Sequence, residues 1–328
     1  MLQTLKELGV DKTGILLLHD LFGFLSCNLA NFKPQIPISF ASQAYSIEEN
    51  ARNNNLNIQH KGLLDEWDST KIALVKVPKS LDLFRLYLLR ICTFLEEDGT
   101  VLCGFMTRNF TAGWIKLAEE FFEEVSQTRA HKKARVMVLK KLKPQVEDLI
   151  HSFKDENNHL WQQYLGVFSA GRIDYASQFL MENLELPKNT FVGVDVGSGN
   201  GVLGKFLHDS SPESIIHLTD DSYLAVESGK LNVNSPQVHH HFSRNLSFLP
   251  DESCDIVITN PPFHLEYEIN MDVAFQIFKD AFRVLHPKGE LWIVANNNLP
   301  YKPALLKHFK SCEVKAHNRR FIIYRCIK

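Results

Sequence analysis

The sequence predicts an α/β chain of two tandem doubly wound, Rossmann-like units, the second intact and the first degenerate, and three observations predict it. A glycine turn, Asp195-Val196-Gly197-Ser198-Gly199-Asn200-Gly201, follows an apolar run. An acidic pair, Asp220-Asp221, closes the next apolar run, and Asn260-Pro261-Pro262-Phe263 closes the run 254–259. A weaker copy of the same succession stands in the first half of the chain. At 328 residues and 45% apolar content there is material for two cores, with domains expected over 1–150 and 151–328.

In the first copy, residues 14–18 form a strand leading into His19-Asp20-Leu21-Phe22-Gly23-Phe24, with one glycine where the later turn has three. Residues 36–42 precede a helical stretch, 44–56, whose Tyr45, Glu49, Arg52 and Asn54 fall in register with Tyr223, Glu227, Lys230 and Asn232. The run 72–79 matches 256–263, and Asp98-Gly99 matches Lys288-Gly289. Side chains at the missing glycines would block the backbone approach a nucleotide-like cofactor needs. The acidic station is Ser42-Gln43 and the cradle position Lys76-Val77-Pro78-Lys79. This half is therefore expected to keep the fold without catalysis.

In the second copy, 191–196 is a buried parallel strand, 197–201 the turn, and 202–208 the start of a helix whose N-terminus faces a ligand. Three beyond Gly199 stands Val202, so the dinucleotide pattern Gly-x-Gly-x-x-Gly fails. Asp195, two before the first glycine, favours a sulfonium amino-acid ligand, because a carboxylate there can order the turn and a nearby amino group. Asp220 is placed to accept from both ribose hydroxyls, with Asp221 as the alternative. Asn245, after the apolar stretch near 238–242, is placed at the adenine edge. The polar stretch from Phe168 to Asp174, before a helix near Ser177, is either a lid over the cofactor or a linker with an N-cap.

The Asn-Pro-Pro-aromatic step points to methyl transfer onto a planar amine. An exocyclic NH2 on a heteroaromatic base or an amide is a poor nucleophile while its lone pair is conjugated. Two acceptors, the Asn260 side-chain oxygen and the Pro261 carbonyl, can engage both hydrogens and release that lone pair. Pro261 and Pro262 stiffen the loop and carry no N–H, and Phe263 can stack on a base. A sulfonium methyl is already activated, so alignment and charge placement suffice and no catalytic histidine is required.

The net charge of −2 disfavours a protein that coats nucleic acid, but two local stretches are basic. Residues 129–143 hold seven Lys or Arg and no acid, and 302–328 is interrupted only by Glu313. Either stretch alone could be a solvated face; beside an amine cradle, the pair favours RNA. Six scattered cysteines without a Cys-x-x-Cys pair suit reduced thiols and no zinc site. His239-His240-His241 alternate between strand faces and do not converge on one ion, so no metal is expected. No segment is long enough to span a bilayer, and residues 1–10 lack the features of a signal peptide, which makes a cytoplasmic location the expectation.

Val167-Phe168-Ser169 with Asp174, the turn 195–201, Ser228-Gly229-Lys230-Leu231-Asn232, Asn260 to His264 and Leu291-Trp292-Ile293-Val294-Ala295-Asn296 together resemble the bacterial ribosomal RNA guanine-N2 methyltransferases. The resemblance spans nearly the whole chain. It implies tandem class I methyltransferase domains, of which only the second binds S-adenosyl-L-methionine, the first serving RNA recognition or support. It implies a guanine cradle at Asn260, Pro261, Pro262 and Phe263. Around the cofactor it implies Asp195, Gly197, Gly199, Gly201, Asp220 and Asn245, with Phe168 and Asp174. Family members carry Arg after Phe-Ser where this chain has Ala170, and Arg172 is the nearest substitute. His264 has a place in the family pattern and no role that chemistry derives. Residues 16–27, 75–80 and 131–135 are similar to the branch acting on large-subunit (23S) RNA, while 296–301 and Tyr324-Arg325 lean toward the small-subunit (16S) branch. The rival classes are a protein glutamine methyltransferase, a DNA amine methyltransferase and a non-catalytic RNA-binding assembly factor.

Overall fold

The computed structural model describes the chain apart from residues 8, 10–12, 146, 170, 262–263, 266–267 and 270, with the backbone alone at 264–265 and 268–269. It divides into two compact units, 1–149 and 150–328.

The first unit is built on a five-stranded sheet in the spatial order Leu16–Leu18, Thr70–Lys76, Leu95–Met106, Ala134–Leu142, Phe122–Gln127. The first three strands are parallel, and Ala134–Leu142 runs antiparallel to both its neighbours. Leu16, Leu17 and Leu18 are all fully buried, as expected of a parallel strand covered on both faces. Pro37–Ile38 pairs with Lys61–Gly62 in a separate two-stranded ribbon. Pro37 has no N–H with which to extend a ladder. Where the glycine turn would be, His19 is buried at φ 61°, its Nδ1 2.9 Å from the Tyr87 hydroxyl, which lies 2.7 Å from Ser39 Oγ. Asp20 Oδ2 accepts from the Ser26 backbone N–H and hydroxyl. Side chains thus fill the bed that a cofactor backbone approach requires.

The second unit carries a seven-stranded sheet: β1 (Val192–Val196), β2 (Ile215–Asp220), β3 (Val238–Phe242), β4 (Cys254–Thr259), β5 (Leu285–Asn296), β6 (Ser311–His317) and β7 (Phe321–Ile327). Their spatial order is β3-β2-β1-β4-β5-β7-β6, with β7 antiparallel to both neighbours. Helices α1 (Tyr175–Asn183), α2 (Val202–Ser210) and α3 (Tyr223–Asn232) cover one face, and α4 (Asp272–Val284) and α5 (Tyr301–Leu305) the other. β5 shows why both faces fill: Leu291, Ile293 and Ala295 join the α4 and α5 core, while Trp292 and Val294 join Leu180 of α1 and Leu203 and Leu207 of α2. α4 buries Ala274, Phe278, Ala281 and Val284, spaced to form one stripe. Burying a side chain the size of Phe278 stabilises by about 1.5–3 kcal/mol.

The sequence favoured six reduced cysteines, but Cys312 and Cys326 are disulfide-bonded. They are register partners on β6 and β7, with Cα atoms 4.1 Å apart, and a cross-strand pairing of this kind leaves no trace in cysteine spacing.

Candidate active site

The site forms where β1, β2 and β4 end. The sheet order reverses at β1, so the chain leaves β1 and β4 toward opposite faces and a crevice opens at the carboxyl ends of the strands. A cleft of about 370 Å³ lies there, within the size range of cofactor pockets.

The glycine turn is held from several sides. Gly197 N–H and Ser198 N–H both donate to the Thr219 carbonyl, at 2.8 and 3.1 Å. Gly199 N–H donates to Asp220 Oδ2 at 2.9 Å, and Asn200 Nδ2 donates to Gln163 Oε1 at 2.9 Å. Gln163 lies in the hairpin Ile150–Lys154/Leu160–Tyr164, which docks on α3 through Tyr164 N–H to Ser228 Oγ and Gln162 N–H to Asn232 Oδ1. Gly199 has φ +55°, and a Cβ there would meet nothing within 4 Å, so the space above the turn is open cleft. Gly201 (φ +90°) starts α2, and a Cβ on it would come 3.3 Å from the Gly229 Cα of α3; close helix packing, in addition to any ligand, requires glycine here.

Asp195 is fully buried behind the turn, with Oδ2 accepting the Gly204 N–H at 2.9 Å and Oδ1 without a hydrogen-bond partner. Burial, offset by that N–H and reinforced by nearby Asp220, pushes its pKa up to about 8. Asp220 lines the cleft, accepting from Gly199 N–H and, through Oδ1, from Ser222 N–H. Burial raises its pKa to about 6, against the pull of those N–H donors, with Asp221 adding to the rise.

Asn260 follows β4 at the opposite lip. Its Nδ2 donates to Asp174 Oδ2 at 2.9 Å and to Ser177 Oγ at 3.2 Å. Thr259 Oγ1 donates to the Val196 carbonyl at 2.8 Å and ties the end of β4 to that of β1. Asp174 N-caps α1, accepting from Ala176 N–H and Ser177 N–H. Phe168, 71% exposed, stands at the rim, and Arg172 lies over the Tyr175 ring, its guanidinium 4.6 Å from the centroid.

Of the residues expected from sequence, Gly197, Gly199, Asp220, Asn245, Asn260, Pro261, Phe168 and Asp174 line one cleft. Asp195 and Gly201 support the turn from behind it. Pro262, Phe263 and Ala170 lie outside the described residues, as does the His264 side chain. Sequence reasoning missed Arg244 and the α4 residues Val273, Gln276, Ile277 and Asp280, which complete the wall. Gln276 Nε2 donates to Asp280 Oδ1 at 2.9 Å, a polar i,i+4 pair on the side of the amphipathic α4 away from its buried stripe.

The residues fit S-adenosylmethionine. A methyl-sized space is open above Gly199, Asp220 offers a carboxylate to hydroxyls, and the cleft-lining Thr219 has a buried Oγ1 without a partner. A histidine cluster lies elsewhere on the sheet: His217 of β2 shares a face with His239 and His241, its Nδ1 2.9 Å from His241 Nε2, while His240 turns the other way to the Val233 carbonyl. Burial lowers the pKa of His217 and His241 to about 4. No group able to hold a metal occurs among the described residues, nor is any described helix long and apolar enough to cross a membrane.

The two basic stretches differ. Arg129, Lys132, Lys133 and Arg135 stand exposed around the turn joining Phe122–Gln127 to Ala134–Leu142, whereas Lys141 pairs with Glu124 at 2.6 Å. In 302–328, Lys315 pairs with Glu185 and Glu313, Arg325 with Glu290 and Glu313, and Lys328 with Glu252. That stretch is therefore not a uniform basic face; Arg319 and Arg320, at the exposed β6–β7 turn, remain outward.

Both units of the chain match known family models. Residues 1–144 match the family model described as RLMG N-terminal domain, and residues 159–325 the Methyltransferase small domain. Relatives that carry the name ribosomal RNA large subunit methyltransferase G include two of different genera. The one from Shewanella sp. (strain MR-4) is 31% identical over 98% of this chain and 90% of its own length. The one from Yersinia enterocolitica is 29% identical over 100% and 86%. Among solved structures, the T. thermophilus 16S rRNA N2 G1207 methyltransferase in complex with AdoMet and guanosine superposes with a TM-score of 0.81 at 20% identity, covering 96% of this chain and 88% of that one. That likeness shows the tandem fold.

Proposed function

The chain belongs to the family of ribosomal RNA large subunit methyltransferase G, and we propose that it transfers a methyl group from S-adenosyl-L-methionine to the exocyclic N2 amine of a guanine in large-subunit (23S) ribosomal RNA. The observation that carries this reading is the convergence of the glycine turn, Asp220 and Asn260 on one cleft at the switch point of the second unit.

When bound, S-adenosylmethionine supplies a methyl already activated on sulfur. The turn Gly197 to Gly201 would give it backbone room, Asp220 would accept from its hydroxyls, and Asn245 borders the cleft where an adenine edge would lie. The guanine must leave its stack to enter the cleft. There the Asn260 oxygen and the Pro261 carbonyl take the two amine hydrogens, freeing the N2 lone pair. The lone pair so aimed would take the methyl that the bound sulfonium supplies, with the S–C bond giving way to the N–C bond, and the extra amine proton would leave to water. Phe263 is assigned the stacking face on its place in the motif. The first unit, whose own bed is closed by His19, Tyr87 and Ser39, presents RNA-contacting charge at 129–135, with Arg319 and Arg320 as second-unit candidates. The work is done on ribosomal RNA in the cytoplasm.

The test is labelled methyl transfer by the purified protein to unmodified 23S and 16S RNA and their particles, followed by nucleoside analysis. N2-methylguanosine in 23S RNA is expected. Label in 16S RNA alone would move the chain to the small-subunit specificity, and no label in any RNA would overturn the reading.

A further inference from the structure

An asparagine side chain has two ends of nearly equal shape and opposite chemistry, and only the oxygen can accept a hydrogen from an arylamine. Turning the Asn260 amide by half a revolution would present a donor to a donor and abolish the cradle. Here Nδ2 has its hydrogens engaged by Asp174 Oδ2 at 2.9 Å and Ser177 Oγ at 3.2 Å, which leaves Oδ1 for the cleft. The two partners are not equivalent. A hydroxyl such as that of Ser177 can donate or accept, so it tolerates either end of the amide. A carboxylate has acceptors only, so the flipped amide would set Oδ1 against Asp174 Oδ2 with no proton between them.

Asp174 is itself fixed. The same Oδ2 accepts from Ala176 N–H at 2.9 Å and Ser177 N–H at 3.2 Å as the N-cap of α1, and α1 is anchored under the sheet by fully buried Leu180 beside Trp292 and Val294. We infer that Asp174, assisted by Ser177, is a positioning residue that locks the Asn260 amide with its oxygen toward the substrate amine. Its charge has a second effect. A hydrogen bond from Nδ2 to an anion polarises the whole amide and makes Oδ1 a stronger acceptor. That gain grows as positive charge develops on the attacking nitrogen, so it is felt in the transition state more than in binding. The inference rests on the amine-cradle function proposed above and differs from the role beside the cofactor that the family resemblance implies for Asp174.

The experiment compares wild type, Asp174→Ser, Asn260→Ala and the double variant. Serine keeps an N-cap for α1 but is too short to cap the helix and reach Asn260 together. S-adenosylmethionine affinity is measured by calorimetry, folding by thermal unfolding, and methyl transfer to unmodified 23S RNA under single-turnover, saturating conditions. Asp174→Ser is expected to bind the cofactor within about twofold of wild type while transfer slows by about 10- to 100-fold, the loss of one charge-assisted hydrogen bond. The double variant should be no slower than Asn260→Ala, since with the amide gone Asp174 has nothing to position. Asp174→Asn keeps both the N-cap and an acceptor without the charge; it should fall between wild type and Asp174→Ser, and it carries the test if the serine variant unfolds. The inference is overturned if Asp174 variants lose cofactor affinity with the saturated rate intact, or if the two single losses multiply in the double variant. A wild-type protein silent on every RNA would instead remove the underlying function, a result told apart by the first control.

Discussion

Two glycines only five residues apart should fail in opposite ways. At Gly199, φ is +55° and a Cβ would meet no atom within 4 Å. Gly199→Ala therefore costs only the left-handed conformation, about 1 kcal/mol, and lowers Tm by roughly 2–4 °C for a domain of this size. The methyl instead enters the cleft that the turn borders. Crowding of that kind costs about 1–3 kcal/mol, which weakens S-adenosylmethionine by about 5- to 150-fold. At Gly204, inside α2 and not part of the cleft wall, a Cβ would lie 2.5 Å from Leu218 Cγ and 2.6 Å from both its methyl carbons. Leu218 is buried in the core and cannot swing away. Overpacking near the upper end, about 3 kcal/mol, less about 1 kcal/mol of helix propensity gained by alanine, leaves a net loss of about 2 kcal/mol. Gly204→Ala should thus lower Tm by about 4–8 °C and bind cofactor nearly normally when folded. Scanning calorimetry and titration calorimetry on the two variants separate the effects. Wild-type affinity in Gly199→Ala, or an unchanged Tm in Gly204→Ala, would refute the assignment of bed and support.

Three further outcomes follow from the same geometry. Asn260→Ala should leave cofactor affinity intact by calorimetry and reduce transfer to 23S RNA by at least about 100-fold, because one of the two acceptors disappears. Burial lifts the Asp220 pKa to about 6, and hydroxyl donors favour its carboxylate; affinity for S-adenosylmethionine should fall about tenfold per unit as pH drops below 6, with Asp220→Asn removing that slope. Lys132→Glu with Lys133→Glu should weaken RNA binding and reduce the slope of log K against log salt by about 1.4–1.8, measured by filter binding, without altering cofactor affinity.

The cleft was legible in sequence wherever chemistry is written into contiguous residues at strand ends. The glycine turn, Asp220 and Asn260 each close an apolar run, so their convergence follows from the parallel sheet. The doubly wound order was legible for the same reason, and the first copy's missing glycines mark where buried His19 stands instead. What remained hidden depends on distance along the chain. Asp174 and Asn260 are 86 residues apart, and nothing local marks one as the partner of the other. The α4 wall comes from the polar side of an amphipathic helix, which sequence periodicity assigns to solvent. Three of the four carboxylates that pair with the C-terminal lysines and arginines, Glu185, Glu252 and Glu290, lie outside residues 302–328. His217 joins His239 and His241 only through strand register.

The central claim is tested most directly on ribosomal RNA from cells lacking this gene and from the same cells complemented with wild type or Asn260→Ala, digested and mapped by mass spectrometry. One N2-methylguanosine should be missing from 23S RNA, restored by wild type and not by the variant. A 23S modification pattern unchanged by loss of the gene, or restoration by Asn260→Ala, would contradict the account.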